Sequence, residues 1–326
     1  SLVYPQVEYN HPELTWYTFE TEHFKIHFHD ETEMTAREAA TVAEVIYPKI
    51  TSFYGFEPRQ KTHLILLDPD DYSNGAAYYY DNKMMIWASP LDFELRGSHR
   101  WLQNVITHEF AHIVSLQKAM KAGTSVPGAY FQFMNYEEEK RPDVLYGYPN
   151  TLVSYPVPGT VVPPWLAEGT AQYMYDDADW DNWDSHRDMI LRDRVINNNL
   201  LSFTEMNTFG KKGIGNESTY NSGFALATYI ANEYGSDVLS KVMEELSSPL
   251  QFSINKAILN VTGTSGRDIY QDFKTAIEAK YNTLVDPIRV MPVQGEKLQS
   301  EGTTNIHPKW HPTAVSYTHL TLPTKA

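Results

Sequence analysis

Apolar and polar positions change their period once along this chain. Near the N-terminus the pattern has period two or comes in short apolar runs. Trp16-Tyr17-Thr18-Phe19 and Phe24-Lys25-Ile26-His27-Phe28 alternate and predict two strands. Between residues 33 and 54, Ala36, Ala39, Ala40, Ala43, Val45, Ile46 and Ile50 form the apolar stripe of a helix, with Pro48 near its end. His63-Leu64-Ile65-Leu66-Leu67 reads as a short buried strand. Ala76–Tyr80 and Lys83–Ala88 flank Asp81-Asn82 as a hairpin. The second arm, Met84–Ala88, is expected as a sheet edge: one reading is an ordinary edge, the other a strand that pairs with an extended peptide.

Beyond residue 95 the period is helical. One helix is expected from an N-cap near Ser98 to a C-cap near Gly123. Residues 124–163 are dense in Pro, Gly and Tyr and read as a long structureless connection, either a lid or cleft wall or a surface wrap. Pro163-Pro164-Trp165 opens a second helix. Further helices are expected at about 186–197, 220–234, 237–247, 253–261 and 266–284, with Ser185 and Ser236 as N-caps and Gly235 and Gly263 as stops. The fold class is α+β: a strand-rich part at about 15–95 and a helical part at about 96–285, forming one domain over 1–285.

Composition narrows the function. Of 326 residues 42% are hydrophobic, and no apolar run approaches the roughly 20 residues that span a bilayer, so the chain is read as not membrane-spanning. A net charge of −15 argues against a nucleic-acid partner. With no cysteine, disulfides, thiol nucleophiles and cysteine-ligated zinc are excluded. The chain starts at Ser1, so an N-terminal piece is expected to precede it, either a cleaved signal peptide or residues beyond an expression boundary.

The stretch Thr107-His108-Glu109-Phe110-Ala111-His112 carries the chemistry. On a helix, positions i and i+4 share a face, so His108 and His112 can aim two imidazoles at one point. Zinc accepts that donor set, and the adjacent Glu109 can work on a metal-activated water. A third ligand is needed, and Glu168 on the next helix is the candidate; two His and one Glu leave a zinc position open, as catalytic sites do. Taken alone, Glu168 could equally be a carboxylate favoured by the helix dipole. His23, His27 and His29 repeat at period two, which suits either a metal face or surface strand histidines. Asp68-Pro69-Asp70-Asp71 does not have the spacing of an EF-hand calcium loop and reads as a solvated turn.

His-Glu-Phe-Ala-His at 108–112 followed by Trp165-Leu166-Ala167-Glu168-Gly169-Thr170-Ala171-Gln172-Tyr173 resembles the gluzincin metallopeptidases. Within them it resembles the exported peptidase-MA-like group, whose members often carry a C-terminal TolB-like β-propeller. The resemblance covers about residues 15–285 and is supported at Thr21–Phe28, Arg187–Leu201 and Tyr220–Ile230. It implies a zincin-like (thermolysin-like) domain with an N-terminal mixed sheet, an active-site helix and a helical C-terminal half. It also implies one catalytic zinc ion on His108, His112 and Glu168, Glu109 as general base, and Tyr220 as the hydroxyl that stabilises the oxyanion. A packed aromatic is the alternative for Tyr220. The chain departs from the M1 aminopeptidases in lacking Gly-Ala-Met-Glu-Asn, and Gln172 stands where related motifs place a supporting carboxylate. A peptide or protein substrate and an extracytoplasmic location, periplasmic or secreted, are further implications.

Residues 286–315 read as a linker and the truncated start of a propeller repeat, with His307-Pro308-Lys309-Trp310 resembling its Pro-x-Trp opening. Residues 316–326 resemble translated sequencing-adapter read-through and are read as non-native. Two alternatives to a peptidase stand beside it: a gluzincin scaffold that binds a peptide or envelope protein without cleaving it, and a metal hydrolase acting on a non-peptide bond.

Overall fold

The computed structural model describes residues 11–69, 73–90, 100–123, 129–136, 149–157, 159–177, 185–209, 215–291, 295, 305–310 and 317–321. The chain divides into two compact units, Ser1–Tyr281 and Asn282–Ala326. The first unit is α+β, with a five-stranded sheet followed by a mostly helical remainder.

The sheet contains β1 (Trp16–Glu20), β2 (Phe24–His29), β3 (Thr62–Leu67), β4 (Gly75–Tyr78) and β5 (Lys83–Trp87), in the order β1-β2-β3-β5-β4. β2, β3 and β5 run parallel, while β1 and β4 lie antiparallel on the outside. The parallel pairing of β2 and β3 requires a long crossover, and α1 (Glu33–Tyr54) supplies it. Alternation sends Phe24, Ile26, Leu64, Leu66, Met84 and Ile86 to one fully buried face, in one core with Ala36, Ala39, Ala43, Ile46 and Ile50 of α1. Pro48 does not break α1; the helix ends at Gly55, whose φ of 58° closes it in the left-handed conformation.

One expectation about the sheet is corrected. Met84–Ala88 is not an edge: β5 lies between β3 and β4, and β4 is the outer strand among the described residues. β5 is hydrogen-bonded on both edges, with Met84 and Ile86 buried and Lys83, Met85 and Trp87 half-buried.

The helix carrying His108 is α2 (Trp101–Lys118). It starts after Arg100 and stops well before Gly123, so it is shorter than the 98–123 expected; Ser98 lies outside the described residues. Every residue from Asn104 to Ser115 is buried. A helix enclosed all round is a central element rather than a surface one. Here it packs against α1, α3 (Pro164–Asp177), β4 and β5.

Residues 124–163 are not a structureless connection. β6 (Ala129–Tyr136) and β7 (Pro149–Val157) form an antiparallel pair within it. Their Tyr, Phe, Val and Thr content favours strands, and the density of Pro and Gly hid that pattern. The remaining helices are α4 (Ser185–Ile196), α5 (Glu217–Tyr234), α6 (Asp237–Ser247), α7 (Ile254–Thr262) and α8 (Gly266–Val290). Gly235 and Gly263 follow α5 and α7 with φ of 93° and 80°. Ser236 makes no side-chain capping bond; Ser253 does, accepting from the Lys256 amide at 3.4 Å.

Within the second unit, α8 continues through Pro287 to Val290, past the expected linker start at 286. β8 (Asn305–Trp310) and β9 (Tyr317–Thr321) pair antiparallel. Among the described residues no helix is long and apolar enough to cross a membrane.

Candidate metal centre

α2 places His108 and His112 one turn apart, with ring centroids separated by 4.6 Å and planes at 85°. Their Nε2 atoms are 3.0 Å apart. α3 packs against α2 and brings Glu168 onto the same point: its Oε2 lies 2.9 Å from His108 Nε2 and 3.2 Å from His112 Nε2. Glu168 is therefore not simply a helix-start carboxylate. Its charge is spent on the two imidazoles. All three residues are buried, and they form a His-His-Glu group that could hold a metal ion.

The donor set fits such an ion. Three donor atoms about 3 Å apart are spaced as neighbours on a tetrahedral ion bound at about 2.0–2.1 Å would be. A buried carboxylate also needs a compensating charge, and a divalent cation supplies it. The imidazoles and the carboxylate also act on one another against burial. Burial pushes His112 down, but the charge and hydrogen bond of Glu168, with the charge of Glu109, outweigh it and raise its pKa. Burial likewise pushes the Glu168 carboxyl up; the charge of His112 and hydrogen bonds from both imidazoles overcome this and hold it far below the usual carboxylate range.

Glu109 sits on α2 beside His108, and its buried carboxylate lies against the first residue of β4, Gly75. Tyr220, on α5, stacks on His108 with centroids 6.0 Å apart and planes at 20°. Phe209 also stacks with the Tyr220 ring, with centroids 6.2 Å apart and planes at 26°. The structure thus gathers His108, His112, Glu168, Glu109 and Tyr220 in one neighbourhood. α5 reaches it through its tight packing on α3.

Among the described residues, His23, His27 and His29 belong to no such group. His23 Nδ1 pairs with Glu44 at 2.7 Å, and His27 Nε2 meets His63 Nδ1 at 2.9 Å. His29 is buried; its Nδ1 donates to the Asp30 carbonyl and its Nε2 accepts the Asp68 amide. Asp68 accepts from Ser89 Oγ at 2.8 Å, whereas Asp70 and Asp71 lie outside the described residues.

Three features escaped sequence reasoning. Gln172, one turn past Glu168, accepts a hydrogen bond from the buried Arg187, so its carbonyl is committed away from the histidines. His112 Nδ1 is buried with no hydrogen-bond acceptor among the described residues. Gly75 against Glu109 had one available signal, a lone glycine opening a strand, which marks a close approach.

No protein-family profile matches the chain, and no curated protein matches it. Among solved structures, an aminopeptidase N family protein from Idiomarina loihiensis is similar over 86% of this chain and 44% of that one, with 13% identity and a TM-score of 0.36. The chain spans less than half the length of that structure, and a likeness this low carries no argument. The site rests on its own geometry.

Proposed function

We propose that this chain is a zinc-dependent peptidase of the gluzincin type with a thermolysin-like domain. The observation that supports this most is the convergence of His108, His112 and Glu168 to within 3.2 Å, with Glu109 on the same helix. Bound there, a zinc ion would polarise the scissile carbonyl and make a water acidic enough to be deprotonated near neutrality. The Glu109 carboxylate then takes the proton of the attacking water and passes it to the leaving nitrogen. The Tyr220 hydroxyl donates to the oxyanion. β4, the outer strand beside Glu109, offers an extended substrate a backbone edge to pair with. A propeller partner domain and an extracytoplasmic location belong to the same proposal. Cell fractionation checks the location, and recovery from the cytoplasm alone would sink that part.

The test combines metal analysis with cleavage of a mixed peptide library. One zinc per chain, cleavage abolished by a chelator and restored by zinc, and a Glu109→Gln variant that keeps zinc but cleaves about 10²–10⁴-fold more slowly are expected. Zinc without cleavage shifts the reading to a peptide-binding scaffold or a non-peptide hydrolase. A protein without metal removes the site.

A further inference from the structure

β4 opens at a glycine that its backbone conformation does not require. Gly75 is absent from the residues with positive φ, so an L side chain could adopt its conformation. The restriction comes from what lies above it. A Cβ at position 75 would stand 2.7 Å from Glu109 Oε1 and 3.1 Å from Glu109 Cγ, and would run into Val105 Cγ2. Val105 and Glu109 are four residues apart on α2 and share one face, and both are buried. The edge strand therefore lies directly on the carboxylate, with no side chain between them.

We propose that Gly75 is a positioning residue for Glu109: its missing side chain lets β4 close onto α2 and fixes where the carboxylate sits. A methyl group here cannot be absorbed by Val105, which is β-branched, stiff at χ1 and packed in the core. The strand must therefore back away from Val105, and the flexible Glu109 side chain, with Oε1 and Cγ at 2.7 and 3.1 Å from the new methyl, shifts with it. This rests on Glu109 being the base. Lone strand glycines mark close approaches of ligand or backbone; at this one the neighbour is the reacting group.

Gly75→Ala, Glu109→Gln and the double variant test it, with mixed-peptide cleavage, zinc content and a crystal structure as readouts. Gly75→Ala is expected to keep one zinc per chain and nearly the parent KM while kcat falls about 10²-fold. In its crystal structure the Glu109 carboxylate is displaced by about 0.5 Å or more. In the Glu109→Gln background the same substitution adds no further loss, because the group it displaces no longer acts. If Gly75→Ala fails to fold, Gly75→Ala with Val105→Ala makes room for the methyl on the Val105 side, and the loss in kcat persists. Full kcat in either alanine variant, an unmoved carboxylate, or an additive loss in the double variant overturns the role of Gly75 and leaves the base in place. Parent-level cleavage by Glu109→Gln overturns the base reading and this inference with it.

Discussion

Gly169 of α3 and Gly223 of α5 touch backbone to backbone. A Cβ on Gly169 would stand 2.9 Å from the Phe224 amide nitrogen and would overlap the Gly223 carbonyl; one on Gly223 would stand 3.1 Å from Trp165 Cα and overlap the Trp165 carbonyl. Glycine inside a helix costs about 0.5–1 kcal/mol relative to alanine, and here it allows two helix axes to approach closely. Glu168 precedes one member of the pair, and Tyr220 lies a turn before the other. The contact thus sets the spacing between the third candidate ligand and the stacked tyrosine.

Gly169→Ala and Gly223→Ala are therefore expected to destabilise the fold by about 1–3 kcal/mol through overpacking. Both should also weaken zinc binding, because separating α3 from α5 drags Glu168 with it. Urea midpoints and zinc affinity measured against a competing chelator check this. Parent-like values for both quantities would show that the helices adjust without moving the ligand.

Removing the metal should destabilise the parent protein. An ion that binds the folded state alone adds RT ln(1 + [L]/Kd), about 2.7 kcal/mol at a hundredfold excess over Kd. A chelator should accordingly lower the thermal midpoint of the parent and leave that of Glu168→Ala unchanged, since the variant has lost its third donor. A chelator shift of equal size in both proteins would place the ion elsewhere.

Tyr220 separates packing from catalysis. Tyr220→Phe keeps the ring that stacks with His108 and with Phe209 and deletes only the hydroxyl. If that hydroxyl stabilises the oxyanion, kcat falls about 10–10³-fold with zinc content and KM preserved. Tyr220→Leu removes the ring as well and should lower stability too. An unchanged kcat in the phenylalanine variant leaves Tyr220 as a packed aromatic.

How far these residues were legible in the sequence depends on the length scale of the signal. His108, His112 and Glu109 could be read because a helix makes i and i+4 neighbours without any tertiary knowledge. Glu168 needed a second helix to arrive at the right angle, which spacing alone cannot say. The strands β1 and β2 announced themselves by alternation and β3 by a short apolar run. The position of β5 inside the sheet did not, because strand order follows the crossovers rather than local pattern. The β6–β7 pair was hidden by its Pro and Gly neighbours. The contacts of Gly75, Gly169 and Gly223 are all tertiary: their residue type hints at a close approach, and only the fold says to what.

Acid stability offers a prediction away from the candidate centre. Glu44 of α1 accepts the His23 backbone N–H at 2.9 Å and pairs with His23 Nδ1 at 2.7 Å, while the His23 ring stacks on Tyr47 at 3.7 Å. These contacts tie α1 to the start of β2. Partial burial pushes the Glu44 carboxyl up, but hydrogen bonds from His23, Thr21 and the His23 amide outweigh it and hold its pKa below the usual value. A carboxyl depressed on folding contributes stability that is complete above its unfolded pKa, about 4.3, and is lost as pH falls through the folded value. Glu44→Gln should therefore cost about 1 kcal/mol at pH 7, discounted for partial exposure, and progressively less towards pH 3. Urea unfolding of parent and variant at the two pH values measures the difference. A gap that stays constant with pH would mean that Glu44 acts through packing and neutral hydrogen bonds rather than through its charge.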